Sequence, residues 1–149
     1  MRAIRFETSG TAHVVDIPRP VPGPGEVLLA VTSTGVCGSD LAALRGTHPF
    51  RGPPRLAGPA AGGRGAAGGP DVADVAVGDR VVVDPQRPCG TCDLCTTGGY
   101  HLCASKQMLG VAEWDGSFAE HVVVPAYRRV PSPDSGAADS YPPLRARET

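Results

Sequence analysis

Long apolar runs are missing from this chain of 149 residues. No stretch approaches the roughly 20 apolar residues of a membrane-spanning helix. Met1–Gly10 carries Arg2, Arg5 and Glu7 but no apolar h-region of a secretory signal. A cytoplasmic location is therefore expected. Excess positive charge is missing as well. The net charge is −1, whereas nucleic acid or an acidic membrane surface would need a basic patch, so neither is expected as a partner. No Gly-x-Gly-x-x-Gly comes after an apolar strand, which leaves no dinucleotide-binding unit, and so no Rossmann domain, in these residues. No long helical period is present to carry a crossover between parallel strands.

What the chain does have is turns. Twenty glycines and 16 prolines make up nearly a quarter of it and punctuate short strand-like segments. Its apolar fraction of 41% suffices for one core. Ala3–Phe6 and His13–Ile17 read as strands, and the proline-rich Pro18–Pro24 ends the second of them. Glu26–Thr34 has the strongest pattern, with Val27, Leu29 and Val31 on one face at period two. Ser39 is expected to cap a helix of about two turns that Gly46 ends. Val77–Asp84 reads as a turn feeding a buried strand, and Ser117–Val124 as another. The fold class expected is mainly β, a partly open barrel with short helices.

Four of the five cysteines, Cys89, Cys92, Cys95 and Cys103, have two, two and seven residues between them. A Cys-x-x-Cys step places two thiolates on one turn, close enough to share a tetrahedral Zn²⁺ at about 2.3 Å. The next Cys-x-x-Cys step and the more distant Cys103 close the ring. Four protein ligands leave no open position, so the site is read as structural. Two disulfides are the rival use of these thiols; without a secretory signal the thiols stay reduced, and metal is favoured.

The chain resembles the N-terminal, GroES-like catalytic domain of the medium-chain zinc alcohol and polyol dehydrogenases. The resemblance runs over residues 1–130, with the cysteine lobe at 88–106. Its carriers are Pro22-Gly-Pro-Gly-Glu-Val-Leu, Gly35-Val-Cys-Gly-Ser-Asp, Val77-Gly-Asp-Arg-Val, the four cysteines, and Gly116-Ser-Phe-Ala-Glu-His-Val-Val-Val-Pro. It implies a second, catalytic zinc, held in the family by a Cys, a His and a further Cys or Glu, and acting as a Lewis acid on the substrate oxygen while hydride passes to NAD(P). Cys37 matches the first ligand, Ser39 the proton-relaying hydroxyl, and Asp40 an acid near the metal. The substrate implied is a small alcohol or polyol.

Against that pattern several residues are exchanged. The family's Gly-His-Glu falls on Gly58-Pro-Ala60, so Pro59 stands where the His ligand belongs and Ala60 where the carboxylate belongs. Ala42 replaces a relay histidine found in many relatives. Cys37 alone is not expected to retain a catalytic zinc. His48 is read as a solvated loop residue, His101 as a surface residue of the lobe, and His13 and His121 as satisfied strand residues. Trp114 is read as part of a turn. Ala60–Gly69, rich in glycine and alanine, is expected to be a flexible or weakly paired strand, and 131–149, without periodicity, a disordered tail. Three functions are compatible with these readings: an inactive domain of a zinc dehydrogenase, a zinc-stapled module docking on another dehydrogenase subunit, or a catalytic domain completed by a partner.

Overall fold

The computed structural model describes residues 1–131 apart from Ser9, Asp74, Ala112 and Glu113. The expected tail lies outside the described residues from 132 onward. The strands are β1 Arg2–Thr8, β2 Thr11–Asp16, β3 Glu26–Gly35, β4 Arg55–Leu56, β5 Ala60–Gly68, β6 Arg80–Val83, β7 Gln86–Arg87, β8 Gln107–Met108, β9 His121–Pro125 and β10 Arg129–Pro131. Two short α-helices, α1 Gly38–Leu44 and α2 Asp93–Thr96, interrupt them. The fold is mainly β, as the turn-rich sequence implies.

Its larger sheet has the order β10-β6-β5-β3-β9, the smaller one β2-β1-β4, and β7 with β8 forms a separate ribbon. Every named pairing is antiparallel, which fits the absence of crossover helices. An Ala3–Ala119 bridge and hydrogen bonds Ile4 N–H to Phe118 O (2.7 Å) and Glu120 N–H to Arg2 O (3.1 Å) knit the two sheets together. The described strands wrap partway around and form no closed ring.

Strand β3 organises the core because its period-two face is apolar. Val27 and Leu29 are fully buried and pack with Val81, Val83, Leu109, Trp114, Val122 and Val124, while Val31 packs at the edge. Burying each such aliphatic side chain contributes about 1.5–3 kcal/mol. A second, smaller cluster joins Phe6, Ala43, Ala57 and Phe118 and seats α1 on the sheet. Val82 is exposed between buried Val81 and Val83, so β6 alternates instead of being buried throughout.

Two expectations are corrected. Ala60–Gly68 is an interior strand, flanked by β3 over eight register pairs and by β6 over three, those of Gly62–Arg64. The lack of side chains is what permits this: a Cβ on Gly63 would lie 2.5 Å from the Ala30 carbonyl oxygen, so the neighbouring backbone occupies that space. Trp114 is a core residue, 7% exposed, with its indole N–H donating to Val123 O at 3.0 Å. The turn reading is right for its backbone and wrong for its side chain.

Candidate metal centre

The lobe carrying the four cysteines is closed at its base by the β7–β8 ribbon, with Gln86 opposite Met108 and Arg87 opposite Gln107. Inside it, Cys92 is the N-cap of α2, and Cys95 N–H donates to Cys92 O at 2.8 Å. That single turn places the Cys92 and Cys95 sulfurs 3.4 Å apart. Cys89 lies 3.8 Å from Cys95. A one-turn 3₁₀ helix, Tyr100–Leu102, delivers the buried Cys103, whose sulfur accepts the Cys89 N–H at 3.5 Å. All four sulfurs lie within 4.8 Å of one another. A tetrahedron with Zn–S bonds of about 2.3 Å has S···S edges of about 3.8 Å, so the thiols fit one structural zinc.

Their acidities are split. Hydrogen bonds from the Thr91 and Cys92 backbone N–H groups pull the Cys89 thiol down to about 6. Desolvation, reinforced by the adjacent Cys92 thiol, pushes Cys95 up to about 12. Four crowded thiols cannot all ionise without a cation among them, and a bound divalent ion removes that conflict by deprotonating its ligands.

Cys37, Ser39 and Asp40 are brought together at the start of α1. The helix begins at Cys37 and not at Ser39, a further correction. Asp40 reaches back to accept the Cys37 N–H at 2.9 Å, the reciprocal half of a capping box, which leaves the Ser39 hydroxyl for other partners. That hydroxyl lies 2.7 Å from the Cys37 sulfur, and the Cys37 thiol donates to Asp40 Oδ2 at 3.2 Å. Helix α1 ends with Gly46 at φ +73°, as expected of a left-handed C-terminal glycine.

The β3–β5 register ends at the Gly35–Ala60 pair, so Pro59 lies in the turn that leads into β5, just beyond the last pair. The turn is held by buried Ser117, whose hydroxyl donates to Ala60 O at 2.9 Å and also contacts Gly58 O and the Thr34 hydroxyl. Gly58 has φ +106°, and a Cβ there would lie 2.7 Å from Phe118 N; only glycine fits. Pro59 itself has no side-chain atom able to ligate a metal. Among the described residues, the four lobe cysteines are the one group of three or more His, Cys, Asp and Glu whose ligand atoms converge. The donor set at Cys37 does not fit a zinc ion.

One residue of this cluster has no signal in local spacing. Arg51, from the loop after α1, is 6% exposed. Its Nη1 donates to Ser39 Oγ at 3.1 Å and pairs with Asp40 Oδ1 at 3.4 Å. The histidines stand apart. His48 Nδ1 accepts only the nearby Phe50 N–H (3.1 Å), and His101 is exposed, its ring edge-on to Tyr100. His13 is exposed on β2. His121 is half-buried with Nδ1 lacking a hydrogen-bond partner, and burial, with Arg19 nearby, holds its pKa below the usual histidine value.

Residues 23–134 match the alcohol dehydrogenase GroES-like domain. The chain belongs to that family. L-threonine 3-dehydrogenase of Pyrococcus abyssi is 39% identical over 127 residues, which cover 83% of this chain and 36% of that protein. D-altritol 5-dehydrogenase of Agrobacterium fabrum is 38% identical over 126 residues, covering 85% and 37%. The crystal structure of an NAD-dependent alcohol dehydrogenase superposes with a TM-score of 0.85 at 33% identity, over 92% of this chain and 41% of the other. The homologues are zinc-type alcohol and polyol dehydrogenases. This GroES-like domain thus spans less than half the length of the relatives it matches. No helix among the described residues is long and apolar enough to cross a membrane.

Proposed function

We propose that this chain is the zinc-stapled GroES-like part of a zinc-dependent, NAD(P)-linked dehydrogenase acting on a small alcohol or polyol, and that the 149-residue chain by itself holds one structural zinc and does not turn over substrate. The observation that carries the reading is the contrast within one domain: four thiols converge in the lobe, while among the described residues Cys37 belongs to no group of three or more His, Cys, Asp and Glu with converging donors. A zinc closed by four cysteines crosslinks the lobe and offers no substrate position. The NAD(P) half of the reaction rests on the relatives alone, because the dinucleotide-binding unit is not in these residues.

Elemental analysis tests this directly. One zinc per chain, retained in Cys37→Ser and lost in Cys92→Ser, is the expected result. NAD⁺ or NADP⁺ reduction by the purified chain with any of a panel of alcohols and polyols would sink the claim of inactivity. The proposed location is cytoplasmic, and neither nucleic acid nor a membrane is proposed as partner.

A second reading, a module that docks on another dehydrogenase subunit, is favoured by one feature. Strand β3 pairs with β9 only over Glu26–Ala30. Beyond it, Val31–Thr34 line an open groove of about 400 Å³ with Ile4, Val14 and Phe118. A subunit filling that groove would co-purify with the chain, and a monomer on a sizing column at all concentrations would discard it.

A further inference from the structure

Arg51 has a use beyond closing a loop. It is the buried cation of a cluster whose acceptors are the groups that family resemblance assigns to a catalytic metal site. Asp40 is 1% exposed, and one of its oxygens takes Arg51 while the other takes the Cys37 N–H and thiol. Ser39 Oγ stands between Arg51 (3.1 Å) and the Cys37 sulfur (2.7 Å). We infer that Arg51 is a built-in cation occupying the charge position of the second zinc, and that it holds this chain to one zinc even when metal donors are supplied at 59 and 60. The inference rests on the reading of Pro59 and Ala60 as exchanged metal-site residues.

The physical reason lies in charge and lone pairs. A zinc on Cys37 would sit about 2.3 Å from its sulfur, only two hydrogen bonds from a guanidinium that cannot lose its proton. Like charges at that distance repel, and although Cys37 itself is exposed, the Arg51 and Asp40 beside it are buried and only weakly screened. The carboxylate that would offset a metal already offsets Arg51. The one carboxylate of the cluster is already engaged by Arg51 and by the Cys37 N–H, so a divalent ion would bring charge that no further acidic side chain of the cluster offsets.

The test uses the full 149-residue chain in four versions: unchanged; Pro59→His with Ala60→Glu; these two with Arg51→Met; and all three with Asp40→Asn. Zinc and cobalt per chain are measured after equilibrium dialysis, with the cobalt absorption bands and a thermal melt for each version. One metal is expected in the first two versions. Two are expected in the third, the second bound at least tenfold more tightly than in the Pro59→His/Ala60→Glu chain, with a melting temperature that rises on metal addition. If Arg51→Met leaves Asp40 unpaired and the chain unfolded, the fourth version removes both charges and is read by the same count.

Two metals already present in the Pro59→His/Ala60→Glu chain would overturn the role of Arg51 while supporting the reading of Pro59. One metal in all folded versions would overturn both. A structural zinc absent from the unchanged chain would instead count against the proposed function.

Discussion

Two cysteine regions of this domain have opposite designs. In the lobe, four thiols fall within 4.8 Å of one another. At the start of α1, a single thiol shares its carboxylate and hydroxyl with a buried arginine. On the proposed reading the lobe takes an external cation, whereas the Cys37 cluster carries its own in Arg51. What separates the two regions is convergence of metal-ligating donors, present in the lobe.

Breaking the lobe should have the largest effect. Cys92→Ser, or full chelation, is expected to release the zinc and disorder residues 88–106, since structural zinc sites have apparent binding energies of about 10–16 kcal/mol, comparable to a whole domain at about 5–15 kcal/mol. Arg87 at the lobe's base lies 5.9 Å from the Trp114 ring centroid, so tryptophan emission should change with metal loss. Unchanged emission in metal-free protein would show that the lobe and the core are independent.

On the other side of the comparison, Asp40→Ala leaves Arg51 buried without its partner, which costs about 3–5 kcal/mol. Zinc content should not change. Denaturant unfolding measures the first and elemental analysis the second; a loss below about 1 kcal/mol would mean that water reaches Arg51.

Arg128 sharpens the boundary between the lobe and the sheet. It sits 4.4 Å from the Tyr100 ring of the lobe and 5.0 Å from Tyr127, and bonds Asp84 at 2.7 Å. Arg128→Ala should cost about 2–3 kcal/mol from the lost charged hydrogen bond and ring contacts. Faster amide exchange at 99–103 with zinc retained is the expected signature, and exchange spread evenly over the domain would refute a local tie. The smallest effect belongs to Cys37→Ser, under about 1 kcal/mol, because the serine keeps the Asp40 cap. A zinc lost with Cys37 would collapse the distinction between the two regions.

Much of this fold is legible in the chain because it is local. The Cys-x-x-Cys steps place sulfurs through one turn of backbone, and the period-two face of Val27, Leu29 and Val31 needs no partner to be recognised. Local reading starts the helix two residues late because Ser39 looks like a cap until Asp40 is seen reaching back to Cys37. It also undervalues the Ala60–Gly68 strand, because propensity counts side chains, while an interior strand under a close neighbour is selected for lacking them. Trp114 reads as a turn residue because the core cluster it joins is built largely from β3 and β6, distant in sequence.

The amino-acid order by itself determined the four-thiol lobe, the β class, the left-handed turn at Gly46 and the absence of a side-chain donor at Pro59. Each depends on residue chemistry within a few positions. Tertiary structure alone decided that Gly63 must stay bare and that Arg51, eleven residues after Asp40, returns to neutralise it. Those outcomes depend on which backbones the sheet brings together and on where burial makes a charge seek its opposite.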